Sequence, residues 1–152
     1  MRIIPALALL ALAPACALAL PGEDHWSREV SPAERAALEE SRALIEAGRA
    51  AEALPILTEL AKALPSNADV FNLLGFAHRK TGDLTTSGAH YVRALYLDPD
   101  HLGALEYQGE LFLMQGNTER AAANLRRLEA LCPERCEERD ELEAAIEAQR
   151  AE

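Results

Sequence analysis

A chain of 152 residues, 49% hydrophobic and 26% charged, is long enough for one soluble domain with its own core. Its formal net charge of −10 argues against nucleic acid and anionic membrane surfaces as partners. With three Phe, three Tyr and one Trp, the core has to be aliphatic and alanine-rich, which suits closely packed helices.

Residues 1–19 read as a secretory signal peptide. Arg2 precedes an uncharged apolar run from Ile3 to Leu20, and the small pairs Ala15/Ala17 and Ala17/Ala19 suit a signal peptidase. A retained membrane helix is the competing reading, since the run is about long enough to span a bilayer; Pro5 and Pro14 argue against it. Lipid attachment at Cys16 is a third, weakened because no leucine stands three residues earlier. Cleavage removes Arg2 and Cys16, so fourteen of the fifteen Lys and Arg remain against 25 Asp and Glu. Two cysteines are then left, an even number for an oxidising compartment, and the expected location is periplasmic or secreted.

Residues 20–30 read as a linker whose one feature is Trp26, either a plug over the end of the first helix or a partner contact. The helical domain is expected over residues 31–150. Ser31-Pro32-Ala33-Glu34 is a capping box with proline at the first helical position, and Gly48 ends that helix in a left-handed turn. A second helix is expected from about Ala50 to Leu64, with Pro55 near its second turn as a place to bend. Asn67, Asp83, Asp100 and Asn117 are the expected caps of the next four helices. A last helix over about 135–149 keeps helical spacing at Leu142, Ala145, Ile146 and Gln149, and covers the open apolar end of the array. Its many acidic residues read as a solvated face.

One spacing runs through these elements. Gly48, Gly82 and Gly116 stand 34 residues apart, as do Pro65, Pro99 and Pro133, which makes the chain a three-unit array with repeats 34–67, 68–101 and 102–135. Within each unit, position 8 is small (Ser41, Gly75, Gly109), position 20 is small (Ala53, Ser87, Ala121) and position 24 is large (Leu57, Tyr91, Leu125). Period and residue types together resemble the tetratricopeptide repeat, a helix–turn–helix unit. Departures occur at position 4 (Ala37), position 27 (Leu60, Leu128) and position 11 (Leu44, His78, Phe112). The resemblance implies an all-α fold of three tandem repeats in a short right-handed solenoid, closed by the capping helix.

It also implies a concave groove lined by the first helix of each unit. Carried over residue by residue, the groove takes Arg35, Leu38, Arg42, Ile45 and Glu46 from the first unit; Asp69, Asn72, Phe76, Arg79 and Lys80 from the second; and Gly103, Glu106, Glu110, Leu113 and Met114 from the third. An apolar cluster of Ile45, Phe76, Leu113 and Met114 beside Arg42, Arg79 and Lys80 would suit a peptide with one hydrophobic anchor and nearby acidic groups. The family's carboxylate clamp does not carry over, because Glu110 would repel a terminal carboxylate.

Chemistry is sparse. Cys132 and Cys136 flank the turn into the last helix and are expected to form a disulfide fastening it to the array. The rival is a thiol-redox or metal-handling pair, although the spacing is not the C-x-x-C of thiol oxidoreductases. His25, His78, His90 and His101 make no site by spacing, His78 being expected as a packed core residue at position 11. No nucleophile motif and no phosphate-binding glycine loop is present, so no enzyme and no cofactor is expected. The expected function is a non-catalytic adaptor of the bacterial cell envelope that binds a protein or peptide; a subunit associating with itself through its terminal helices is the further alternative.

Overall fold

The computed structural model describes residues 29–151, which carry seven helices and no strand. In chain order they are α1 (Pro32–Glu46), α2 (Ala50–Ala63), α3 (Ala68–Lys80), α4 (Leu84–Leu97), α5 (Leu102–Met114), α6 (Thr118–Leu131) and α7 (Glu137–Arg150). The expected signal peptide, Cys16 and Trp26 lie outside the described residues. Among those described, no helix is long and apolar enough to cross a membrane.

Most helices begin where a side chain satisfies an orphan N–H. The Ser31 capping box is complete: Oγ accepts from the Glu34 N–H, and the Glu34 carboxylate accepts from the Ser31 N–H. Asn67, Asp83 and Asn117 cap α3, α4 and α6, each accepting from the N–H three residues on at 3.1 Å. The expected Asp100 cap is a correction. His101 caps α5 instead, its Nδ1 accepting from the Ala104 N–H at 3.2 Å, while the Asp100 N–H is turned back to Asp98 Oδ1. His101 also reaches Asp69 of α3 through Nε2 at 3.1 Å, and that second tie draws the imidazole into the cap position.

The three hairpin turns close identically. Gly48, Gly82 and Gly116 have φ of +76°, +88° and +75°, a left-handed backbone that costs glycine little. The N–H after each glycine then reaches the carbonyl five residues back, from Arg49 to Leu44, Asp83 to His78 and Asn117 to Phe112. These are the long bonds of a Schellman ending. α2 continues through Pro55 as one helix.

Small residues let the paired helices meet. Ser41, Gly75, Ala53, Ser87 and Ala121 are buried in these contacts. Ser87 Oγ donates to the Gly75 carbonyl at 2.8 Å, stitching α4 to α3 at the closest approach. Asn124 ties α6 to α5 likewise, through Leu105 O and Gln108 Oε1. Between units, Arg93 donates to the Pro65 carbonyl and Arg127, 34 residues later, to the Pro99 carbonyl. Arg139 repeats the tie for the last turn, donating to the Cys132 and Pro133 carbonyls. Arginine suits these places because its fork reaches exposed proline carbonyls that no helix satisfies.

The order of contacts sets the curvature. α1, α3, α5 and α7 touch one another in succession, and each of α2, α4 and α6 packs on its neighbours from this set. No contact joins α2 to α4 or α4 to α6. A stack whose first layer is in contact and whose second is spread apart is concave on the first layer. α7 is the fourth member of that inner layer and closes the core with Leu142 and Ile146, both buried against Leu105, Phe112 and Leu128.

Candidate functional site: the concave face

The residues expected on the inner face divide between buried and open. Ile45, Phe76 and Leu113 are 1%, 6% and 8% exposed, so the anticipated open apolar cluster is closed; Met114 alone is exposed. Leu38 and Asn72 are buried as well. The cover on Phe76 is Tyr107 of α5, whose ring stacks on it at 4.4 Å between centroids and an interplanar angle of 16°. An aromatic pair at that distance fills the space an apolar ligand group would take.

The cations are also largely committed. The Arg79 guanidinium lies over the Phe76 and Tyr107 rings at 5.3 and 5.5 Å and pairs with Glu110, so it is not open to grip a foreign carboxylate. Lys80 also sits over the Phe76 ring, with Nζ 5.3 Å from its centre. Arg35, exposed at the start of α1, donates to the Val30 carbonyl. Arg42 is the cation left facing the hollow.

What opens on this face is a polar cavity of about 240 Å³. α1 supplies Arg42 and Glu46, α5 supplies Glu106 and Tyr107, and α7 supplies Glu137, Glu138 and Glu141. Arg42, Glu46 and Glu106 were expected in the groove. Tyr107 and the three α7 carboxylates were not; extending the groove positions by one more period adds only Glu137 of these, 34 residues after Gly103, while Tyr107 and Glu141, also one period apart, share a position outside that set. Glu106 is 3% exposed; burial first, then Glu141, Glu110 and Glu138, push its carboxyl up to about 9. Burial likewise pushes the Tyr107 hydroxyl up to about 12. Asp69 is held below the ordinary carboxylate range by its hydrogen bond from His101.

Elsewhere the chemistry stays sparse. Cys132 and Cys136 are free thiols, Cys136 buried and Cys132 half-buried. The neighbouring Cys136 thiol is the main cause that pushes the Cys132 thiol up to about 11. His78 is half-buried against His90, their rings stacked at 5.3 Å, with His78 Nδ1 3.6 Å from Asp83 Oδ2. Burial, then His78, lowers the pKa of His90. Among the described residues no group of three or more His, Cys, Asp or Glu is placed to hold a metal ion.

Comparison with known proteins agrees with the geometry. No curated protein sequence matches the chain. Among solved structures, it is similar to the first TPR of Spaghetti (RPAP3) bound to the HSP90 peptide SRMEEVD, with TM-score 0.66 and 19% identity over 77% of this chain and 95% of that one. The Arabidopsis OM64 TPR domain gives 0.67 and 18%, covering 78% and 95%. The Yersinia enterocolitica type III secretion chaperone SycD, in complex with a peptide of the translocator YopD, gives 0.67 and 15%, covering 80% and 95%. At such identities these likenesses establish the fold. The family model described as Tetratricopeptide repeat matches residues 38–101 and 89–135, and with six helices paired in its pattern and a seventh closing the stack the chain belongs to the tetratricopeptide repeat family.

Proposed function

We propose that the protein is a non-catalytic adaptor that holds a segment of another protein along the face formed by α1, α3, α5 and α7. The observation that carries this reading is the cavity opening there, lined by side chains from both ends of the array. Two proteins of similar fold hold peptides, the RPAP3 domain and SycD, which supports it. A photo-crosslinking residue at Glu46 or Met114 is expected to capture the partner, and one at Val92 or Tyr96, exposed on α4, is expected to capture none. The reverse pattern would move the site to the convex side.

The cell-envelope location rests on residues 1–19, and with it goes a disulfide between Cys132 and Cys136. The raised thiol counts against a redox centre, since the thiolate is the nucleophile and a thiol near 11 stays protonated at neutral pH. Intact-mass spectrometry of the protein taken from cells reads both points. The expected product begins after the signal and lacks two hydrogens; a chain starting at Met1 with all three cysteines alkylatable would defeat both.

A further inference from the structure

Glu106 is a buried carboxyl whose surroundings fit a cation. It is almost wholly enclosed, and the other charged groups acting on it are Glu141, Glu110 and Glu138. It nevertheless lines a cavity of about 240 Å³ whose walls are mostly oxygen-bearing. Five carboxyls, from Glu46, Glu106, Glu137, Glu138 and Glu141, meet there with one guanidinium, that of Arg42. Arg42 offsets one of these charges and leaves the rest.

The polar groups that α3, α4 and α6 pack against α5 do not change this balance. From α3, Arg79 is engaged by Glu110. From α4 comes Tyr91, whose ring lies 6.4 Å from that of Tyr107, and its hydroxyl stays protonated because burial raises its pKa. From α6 comes Asn124, which does not titrate and is tied to Leu105 and Gln108. A planar guanidinium matches two adjoining carboxyls with parallel hydrogen bonds, and the Tyr107 ring beside them suits a cation.

We propose that this cavity is the specificity pocket of the concave face and receives an arginine side chain of the bound segment, between Glu106 and Glu141. The proposal rests on the reading of that face as peptide-binding, and it reverses the ligand charge expected from the groove positions alone. In the empty pocket Glu106 keeps its proton to about pH 9. An arriving guanidinium favours the carboxylate, so binding expels one proton to solvent, and affinity rises with pH by up to about tenfold per unit.

The test uses the full chain, labelled with ¹⁵N, and four capped pentapeptides Gly-Ala-X-Ala-Gly in which X is Arg, Lys, norleucine or Glu. The arginine peptide is expected to shift the amides of Glu106, Tyr107 and Glu141 saturably, the lysine peptide more weakly, and the other two at least about tenfold more weakly still. Its affinity should climb between pH 6 and 8. Glu106→Gln, which keeps the shape, should lose that climb and about tenfold or more of the affinity at pH 8. Equal binding of the norleucine or Glu peptide at these amides, or an unchanged pH slope in Glu106→Gln, overturns the pocket. Shifts by those two peptides elsewhere along α1, α3 and α5 would overturn the pocket and keep the peptide-binding face, whereas no shift by any peptide along these helices overturns both.

Discussion

Glu106→Gln should make the protein more stable at neutral pH and flatten the dependence of its stability on pH. The folded-state pKa of Glu106 is raised to about 9 from an ordinary value of 4.5. The native state therefore holds a proton that the unfolded chain has released. The stabilisation from that proton is fully present below the unfolded pKa and is lost as pH rises through about 9. Glutamine carries no titrating proton and can still hydrogen-bond Glu141, so its advantage grows from near zero at pH 4 to about 1–3 kcal/mol at pH 8. For an array of this size that is a rise of roughly 3–12 °C in Tm. Melting curves of parent and variant at pH 5 and pH 8 decide it, and curves that stay parallel at both would show that Glu106 is ionised in the native state at no cost. A residue that weakens the fold where a neutral one would strengthen it is expected at a site retained for binding.

Gly75→Ala should destabilise the array more than Gly109→Ala, although both glycines occupy position 8. A Cβ on Gly75 would stand 2.5 and 2.6 Å from ring atoms of Tyr91, and one on Gly109 2.6 and 2.7 Å from the methyl carbons of Leu142. The Tyr91 ring is wholly buried among α3, α4 and α5, and a rigid, close-packed ring has little room to turn aside. Leu142 sits on the last helix with flexible methyl ends, and α7 is held by the core on one side only. Overpacking costs about 1–3 kcal/mol, and alanine returns up to about 1 kcal/mol of helix propensity. Gly75→Ala is expected near the top of that range, at about 2 kcal/mol net, and Gly109→Ala within about 1 kcal/mol of the parent. Urea unfolding of both variants measures the difference. A Gly75→Ala protein with the parent's midpoint would mean that Tyr91 moves freely in a core described as closed.

Much of the fold was legible because its signals are local. The capping box at Ser31, the caps at Asn67, Asp83 and Asn117 and the left-handed glycines each act within a few residues of their own position. The one misplaced cap shows where that legibility stops. Asp100 is as good a cap by type as Asp83, and His101 displaced it through a hydrogen bond to Asp69, thirty-two residues away. The arginines that bind proline carbonyls were overlooked for the same reason, since the bond spans 28 residues and an isolated arginine on a helix surface announces nothing.

Of the expected groove residues, Arg42, Glu46 and Glu106 line the cavity, while others are buried or paired. Repeat numbering placed Phe76, Arg79 and Glu110 on the inner face. It could not show that Tyr107 would lie flat on Phe76 or that Arg79 and Glu110 would neutralise each other. Acidic residues on the last helix looked like a solvated surface, and Glu137 and Glu141 are exposed; what an isolated helix could not show is that these two and the half-buried Glu138 also rim the hollow that holds Glu106.

The amino-acid order by itself determined that this is a helical array of period 34, with its breaks, caps and small contact positions, because each rests on backbone geometry and neighbours a few bonds away. Only the tertiary structure decided which inner-face groups remain open and what charge they present. That outcome depends on how far the stack curves and so brings α1 within reach of α7, a distance summed over every helix contact between them and encoded in none singly.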